Sequence, residues 1–229
     1  MKAFVITLRG NEYSERKAAR CIETASQFGV EVTQFDAVPA DEAEQVMQAC
    51  GLKWTWANDN TSFALCPITK LRQHPYGRLA PKIGCSMSHF LLWGMCVALD
   101  ETFLILEHDA EFIRPLPNID FDGICQINDP TGATPKGAYW AEKMIERGKQ
   151  HAGVHVWPKT KMFANDKPDG LAGNSAYLIK PWAAKELVTK CDQLGLWPND
   201  AVMCRQLFPY LQELYPFVTE VKQEQSTTT

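Results

Sequence analysis

The sequence predicts an α/β protein built on a Rossmann-like, mostly parallel sheet flanked by helices. Residues 3–8 form an apolar, β-branched run that is typical of a strand buried on both faces. A helical pattern and an alternating strand at 30–35 follow, which together complete a β-α-β unit with the usual right-handed crossover. A second apolar run at 103–106 indicates another buried strand, and it ends abruptly in acidic residues.

The first helix is predicted to begin with Ser14 as its N-cap and to end at Gly29. Between about 51 and 82 the tryptophans and prolines follow no clear period, so a long irregular segment is expected there. No second domain boundary is visible, and residues 1–229 are predicted to form a single domain. The other predicted elements are helices at 41–50, from Ser86 or Ser88 to Leu99, at 181–191 and at 199–207, strands at 123–127 and 175–179, and a Gly/Lys-rich stretch to about 153.

The composition excludes several classes of protein. The 229 residues are 45% apolar and 22% charged, which is typical of a globular chain and not of a disordered one. No run approaches the ~20 apolar residues of a membrane span, and the opening is too short for a signal peptide, so a cytoplasmic location is expected. The net charge of −4 argues against a broad DNA-binding surface. The eight scattered cysteines are predicted to be mostly buried thiols.

The tripeptide Glu107-His108-Asp109 places two carboxylates at the carboxyl end of a predicted buried strand, where open α/β sheets bind ligands. Glu111 lies close by in sequence. Oxygen ligands of this kind suit Mg²⁺ or Mn²⁺, ions that also bridge diphosphates. The alternative is an ordinary polar strand end, and the tripeptide alone does not decide between the two.

A second segment, Ile83 to Trp93, is predicted to start a helix whose free N–H groups would hold an anion. His89 follows Cys85 by four residues, so a Cys/His hydrolase is a rival hypothesis. That spacing occurs on any helix, and Cys85 is equally well explained as a packed core residue. Trp93 is most simply a core residue too.

These motifs together resemble glycosyltransferase family 25, which includes lipooligosaccharide galactosyltransferases and collagen galactosyltransferase domains. The resemblance extends over nearly the whole chain, with the pieces in the same order. Its parts are Leu8, Arg9 and Arg16, then Phe35 to Val38, the Gly-Cys-x-x-Ser-His-x-x-x-Trp pattern at 84–93, Leu104 to Ala110, Gly173 to Ile179, Pro198-Asn199-Asp200, and Gln223 to Ser226.

The resemblance implies a GT-A fold and inverting transfer of a hexose from a nucleotide-sugar donor, with UDP-galactose and UDP-glucose the expected donors. The acceptor would be a hydroxyl on a glycan such as lipopolysaccharide, or on another acceptor. It also implies that a divalent cation, Mn²⁺ or Mg²⁺, is held by Asp109, with Glu107 assisting or binding the donor's ribose. Asp200 is the candidate general base, and Asp109 and Asp200 are therefore the expected catalytic residues. For Asp200, the alternative is a helix N-terminal charge.

The expected donor-binding residues lie at the predicted strand ends and around the motifs. Thr7, Leu8, Arg9, Asp36 and Ala37 are placed where the base and ribose would bind. The remaining donor-binding candidates are Arg16 and Lys82 for phosphate, Ser88 and His89 in the predicted helix, Glu107 and His108 after the strand, and Asn174 and Ser175 for sugar hydroxyls.

Three departures from the family pattern leave alternatives open. His108 replaces the usual middle Asp, Lys82 stands where Glu is frequent, and no histidine follows His155. A catalytically degenerate nucleotide-sugar-binding protein is therefore an alternative. A transferase acting on modified DNA bases is another, motivated by the Trp, Lys and Arg residues at 53–82.

Overall fold

A seven-stranded sheet forms the centre of the molecule in the computed structural model, which describes residues 1–57, 64–74, 77–131, 142–146, 151–156, 166–171 and 173–221. Residues 142–146 form a further short helical segment. The strands are β1 (Lys2–Thr7), β2 (Val32–Asp36), β3 (Ala64–Leu65), β4 (Arg72–Gln73), β5 (Phe103–Glu107), β6 (Ala110–Phe112), β7 (Ile124–Gln126), β8 (Gly153–Val156), β9 (Ala176–Ile179), β10 (Gln212–Tyr215) and β11 (Thr219–Val221). The larger helices are α1 (Glu12–Gln27), α2 (Ala43–Ala49), α3 (Leu79–Leu99), α4 (Pro181–Leu194) and α5 (Asn199–Val202).

The strand order in the central sheet is β2-β1-β5-β9-β7-β10-β8. Strand β1 pairs in parallel with β2 and β5, whereas β9 runs antiparallel to both of its neighbours, β5 and β7. Strand β8 is likewise antiparallel to β10, which is parallel to β7. Five of the seven strands thus share one direction, which confirms the predicted mostly parallel α/β sheet.

Alternate residues of the central strands enter two separate hydrophobic cores. Phe4 and Ile6 of β1 belong to the core beneath α3 and α4, and Ala3 and Val5 belong to the core beneath α1. This division follows from the two-residue period of a strand, because both faces of the sheet are covered by helices. The cysteines fit the same picture: all eight are free, and all except Cys50 and Cys85 are buried.

Helix α1 begins one turn earlier than its sequence suggested. Its N-cap is Asn11, whose side chain accepts a hydrogen bond from the Ser14 backbone N–H at 3.0 Å. The prediction of Ser14 as N-cap was wrong because the Ser14 hydroxyl accepts from the backbone N–H of Leu8 instead, at 2.9 Å. This contact closes the turn between β1 and α1.

Helix α3 begins at Leu79, so the predicted start at Ser86 or Ser88 was wrong. Pro81 obscured the start, yet a proline is tolerated in the first turn because N–H groups there have no helical partner. Ser88 and His89 therefore lie in the helix interior, where backbone N–H groups bond to the preceding turn. The expectation that the segment Ile83 to Trp93 starts a helix whose free N–H groups hold an anion is wrong for the same reason.

By length and composition, α3 is the one helix in the described part of the chain that could cross a membrane, although no such run was expected from the sequence. However, 56% of its apolar 18-residue stretch is buried inside the protein, and the helix packs against α2 and α4. These are the properties of a core helix.

Other differences concern the less regular parts of the chain. The predicted helix at 199–207 extends only over α5, and strands β6, β8, β10 and β11 were not anticipated. The irregular segment at 51–82 contains the β3-β4 hairpin and the start of α3. Three predictions fall wholly or partly outside the described residues: part of that segment at 58–63 and 75–76, most of the Gly/Lys-rich stretch at 132–141 and 147–150, and the family-like Gln223 to Ser226.

The buried carboxyl of Glu213 gives the fold a dependence on pH. Burial raises the pKa of Glu213 well above its ordinary value of 4.5, although the hydrogen bond from Gln126 at 3.0 Å opposes this rise. The folded state keeps a proton there that the unfolded chain has lost, so the free energy of unfolding falls as pH rises above about 4.5. Asp109 and Asp200 have raised pKa values and add to the same trend.

We expect Glu213→Gln to raise the free energy of unfolding at pH 7 by roughly 1–3 kcal/mol, because the amide keeps the contact with Gln126 and needs no proton. Urea unfolding between pH 4 and 8 would also show a weaker pH dependence for this variant. Glu12→Gln on the exposed first turn of α1 is the control. If the free energy of unfolding changed equally with pH in Glu213→Gln and in the wild type, Glu213 would not be the source of the pH dependence.

Candidate active site

A cavity of about 120 Å³ lies at the carboxyl ends of β1, β2 and β5, the edge where parallel sheets bind ligands. Three kinds of wall enclose it: residues just after the strands, residues of the loop that follows β2, and one side of α3. Its lining residues are Ile6, Leu8, Ala37, Val38, Ala40, Pro81, Cys85, Ser88, His89, Glu107 and His108.

The wall formed by α3 is held against the end of β2 by two close contacts. The buried Ser88 hydroxyl accepts a hydrogen bond from the Val38 N–H at 2.9 Å and donates to the Gly84 carbonyl at 2.8 Å. At Gly84 itself, a Cβ atom would lie 2.5 Å from the Val38 carbonyl oxygen. Only glycine permits this approach of the helix to the loop backbone.

Glu107 ends β5 and is held by neighbours on both carboxylate oxygens. Its Oε1 lies 3.4 Å from His89 Nε2, and its Oε2 accepts a hydrogen bond from the Ser175 hydroxyl at 3.4 Å. Burial would raise the pKa of Glu107, but His89, the nearby His108 and Ser175 together hold that pKa below its ordinary value. Glu107 is therefore ionised at neutral pH.

Asp109 has the opposite character, although only one residue separates it from Glu107. Burial, together with the charge of Glu107, raises the pKa of Asp109 to about 7. Its Oδ1 atom is buried and has no hydrogen-bond partner in the described part of the chain. Glu111 is farther along, where it pairs with Arg20 at 3.4 Å. An oxygen without a partner beside an ionised carboxylate can accept a cation.

His108 stands between Glu107 and Asp109 in the sequence, and its side chain lines the cavity. Its ring meets the edge of the Tyr13 ring with centroids 6.1 Å apart. Burial lowers the pKa of His108, and the charge of nearby Lys17 acts in the same direction, while Glu107 opposes it. His108 therefore adds no positive charge to the site at neutral pH.

Asp200 approaches the same region from the first turn of α5. The Cys85 thiol lies 3.7 Å from the Asn199 side-chain oxygen, so this turn abuts the cavity wall. Burial raises the pKa of Asp200, the positive charge of Lys82 opposes the rise, and the charge of Glu107 adds to it. The structure thus brings together three segments distant in sequence that carry Lys82, Glu107 and Asp200.

Six of the residues predicted to bind the donor line the cavity: Leu8, Ala37, Ser88, His89, Glu107 and His108. The others occupy different surroundings. Thr7 is buried and bonds to the Val5 carbonyl, while Arg9 and Asp36 form an exposed ion pair at 2.8 Å. Arg16 lies exposed on α1 above the Tyr13 ring. The Asn174 side chain is buried, with its Nδ2 unpaired among the described residues.

Two buried residues that were not among the predicted site residues, Tyr177 and Trp93, lie behind His89. Tyr177 contacts His89 Nδ1 through its hydroxyl at 2.8 Å and also accepts a hydrogen bond from Trp93 Nε1 at 2.9 Å. Both side chains are fully buried. The signal available in the sequence was their polar atoms, because a buried Tyr or Trp needs a partner.

One group of side chains has the composition of a soft-metal site. The ligand atoms of Cys85, His89 and Glu107 all lie within 4.8 Å of one another. A thiolate, an imidazole and a carboxylate are a ligand set used for Zn²⁺.

A cavity at the carboxyl edge of a mostly parallel sheet, lined by the ionised Glu107, defines the class: an α/β protein with a candidate ligand site at the ends of its parallel strands. Within that class, residues 1–203 match the family described as glycosyltransferase family 25 (LPS biosynthesis protein). The chain belongs to glycosyltransferase family 25 and is a glycosyltransferase, as the sequence motifs indicated.

Among solved structures, the chain is similar to mouse xyloside xylosyltransferase 1 in its apo form, with 12% sequence identity. The match covers 92% of this chain and 83% of that chain, with a TM-score of 0.36. No match was found among curated proteins.

The contact at Gly84 predicts a specific cost for adding one methyl group. We expect Gly84→Ala to lower the free energy of unfolding by about 1–3 kcal/mol, because the new Cβ meets a backbone oxygen that has little room to move. Gly94→Ala on the same helix is the matched control, since no atom lies within 4 Å of its added Cβ. Urea unfolding should show Gly94→Ala to be more stable by about 0.5–1 kcal/mol. Equal effects of the two substitutions would contradict this account.

Proposed function

We propose that the protein transfers a hexose from a nucleotide-sugar, UDP-galactose or UDP-glucose, to a hydroxyl of a glycan acceptor, with inversion at the anomeric carbon. The observation that carries the proposal is the pair of unlike carboxylates at the end of β5: Glu107 lines the cavity, Asp109 follows two residues later with a buried oxygen that has no partner among the described residues, and Asp200 approaches from α5. The family description favours lipopolysaccharide as the acceptor. We further propose that the reaction takes place in the cytoplasm.

The residues present fit a divalent cation. Asp109 offers a buried oxygen with no partner in the described residues, and Glu107 offers an ionised carboxylate. Both are hard oxygen ligands of the kind that Mg²⁺ and Mn²⁺ prefer. When bound there, the cation would supply charge stabilisation for the departing diphosphate. Asp109 would hold the ion, and Glu107 would assist it or bind the donor's ribose.

Asp200 is the proposed general base. Inversion in a single displacement requires that one group remove the proton of the acceptor hydroxyl as the new bond forms. Burial raises the pKa of Asp200 and so makes its carboxylate a stronger base, while the charge of Lys82 opposes that rise and favours the ionised form. Lys82 thereby has a role that the glutamate frequent at this family position would not supply.

The donor would lie along the strand ends. Leu8 and Ala37 line the cavity, and apolar walls of this kind suit the face of a nucleotide base. Asp36, which forms an exposed ion pair with Arg9 at 2.8 Å, would bind ribose hydroxyls. Ser88 acts indirectly, because both of its hydrogen bonds go to backbone atoms.

Degenerate binding without transfer is the second candidate function. It is favoured by His108, which stands where the family pattern has an aspartate, so that the site has one carboxylate fewer there. Turnover separates the two candidates, since both predict binding of a nucleotide-sugar.

The donor and the metal can be tested together. We expect one UDP-hexose to raise the melting temperature in the presence of Mn²⁺, with slow release of UDP. Asp109→Asn should weaken metal-supported donor binding by at least about tenfold, since even outer-shell ligand partners contribute about 10–100-fold. The exposed Asp41→Asn is the control. Donor binding without turnover on glycan or hydroxymethylated DNA acceptors would favour the degenerate protein, and no binding of any nucleotide-sugar would refute the proposal.

The role of Asp200 predicts a separation of binding from chemistry. Asp200→Asn should leave the donor dissociation constant within about twofold and lower kcat by about 10²–10⁴-fold, the usual contribution of a general base. Isothermal titration and a UDP-release assay measure the two quantities. Asp192→Asn, on the exposed face of α4, should change neither. Full activity of Asp200→Asn would exclude it as the base.

A further inference from the structure

Three buried polar side chains form a chain of contacts that ends at the site. Trp93 Nε1 donates to the Tyr177 hydroxyl oxygen at 2.9 Å, and the same hydroxyl lies 2.8 Å from His89 Nδ1. His89 Nε2 then lies 3.4 Å from Glu107 Oε1. Trp93, Tyr177 and His89 are at most 1% exposed, so the solvent offers them no alternative partners.

The direction of these hydrogen bonds is determined by the donors and acceptors present. An indole N–H can only donate, so the Tyr177 oxygen accepts from Trp93. Tyr177 has one hydrogen of its own, and His89 Nδ1 is the acceptor it meets among the described residues. If Nδ1 carried a hydrogen, the Tyr177 O–H would be buried without an acceptor, which is costly. Nδ1 therefore accepts, and Nε2 bears the ring hydrogen.

We propose that Tyr177 is a positioning residue that fixes His89 in the Nε2–H tautomer, so that His89 points a hydrogen-bond donor at Glu107 and into the cavity. Nε2 has no formed hydrogen bond among the described residues, and Glu107 Oε1 is its neighbour. A small rotation of either side chain would complete that bond. The Nε2–H group of His89 is also suited to donate a hydrogen bond to an anionic oxygen of the nucleotide-sugar's diphosphate. This use rests on the proposed function.

This arrangement distinguishes the two carboxylates that follow β5. Glu107 is oriented through Oε1 by His89 and through Oε2 by Ser175. Asp109 Oδ1, by contrast, is buried and has no hydrogen-bond partner within the described ranges. Tyr177 thus acts on the site through His89, although it does not line the cavity.

The same tautomer argues against a metal at the group formed by Cys85, His89 and Glu107. A metal on His89 Nε2 would require the ring hydrogen to move to Nδ1. The Tyr177 oxygen would then accept from both Trp93 and His89, and its own hydrogen would lose its acceptor. Although the ligand atoms of Cys85, His89 and Glu107 lie close together, the hydrogen bonds of His89 with Tyr177 therefore disfavour a metal ion there.

The tautomer can be observed directly in the ligand-free protein. In the full chain labelled with ¹⁵N-histidine, we expect His89 to show a pyridine-type Nδ1 signal and a pyrrole-type Nε2 signal with its proton attached. His89→Gln assigns the resonance among the five histidines. A protonated Nδ1, or an exchanging mixture of tautomers, would overturn the proposal. This readout does not depend on activity, so it stands or falls separately from the proposed function.

The positioning role is tested by Tyr177→Phe. We expect a shift of the His89 Nδ1 signal and a donor dissociation constant about two- to tenfold higher, the range for one lost hydrogen bond. Tyr210→Phe is the matched control, because its hydroxyl bonds to Glu186 at 2.7 Å on the surface. Unchanged His89 signals and donor affinity in Tyr177→Phe would overturn the proposal. If that variant does not fold, the wild-type spectrum decides alone.

A cobalt titration tests the rival arrangement. Co²⁺ bound to a thiolate gives an intense charge-transfer band, and we expect none that depends on Cys85. A band that appears in the wild type, persists in Asp109→Asn and disappears in Cys85→Ser would place the metal on Cys85 and His89, and would overturn the proposal. If the histidine spectrum is as expected but no nucleotide-sugar binds, the proposed function is refuted while the tautomer of His89 stands.

Discussion

The close approach of α3 to the loop after β2 is the constraint on which the site depends. Gly84 brings the helix within reach of the Val38 carbonyl, and the Ser88 hydroxyl bonds to backbone on both sides of that contact. Because α3 is a single long helix, fixing its second turn also fixes Cys85 and His89, which form one wall of the cavity. The position of His89 relative to β5 is thus set by packing well before any ligand enters.

The two carboxylates that follow one another at the end of β5 differ in their ionisation. Glu107 and Asp109 are separated by one residue, yet one is ionised and the other titrates near neutral pH. The difference arises from their neighbours: His89 and Ser175 lie beside Glu107, whereas burial and the charge of Glu107 itself act on Asp109. Carboxylates with such different environments are suited to different tasks within one reaction.

The sequence predicted the β-α-β opening and the strand before Glu107, because their apolar periods are strong and uninterrupted. It also indicated the family. It did not predict the start of α3, since Pro81 and Gly84 obscure the helical pattern, or the short strands near the C-terminus. Six of the predicted donor-binding residues line the cavity: four end or directly follow a strand, and the other two, Ser88 and His89, lie on α3. The role of Tyr177 depends on atoms 88 residues apart in the chain, and no local pattern reveals such a contact.

The reversed direction of β9 determines which residues reach the site from the second half of the chain. Its amino end lies at the same edge of the sheet as the carboxyl end of β5, so a strand entering the sheet delivers Ser175 to Glu107 without a crossover helix. Pairing with β5 sets Tyr177 opposite Ile105. A slip of this strand by one residue would turn the hydroxyl to the opposite face of the sheet, beneath α1. The register of a few ladder hydrogen bonds therefore decides on which side of the protein this polar group resides.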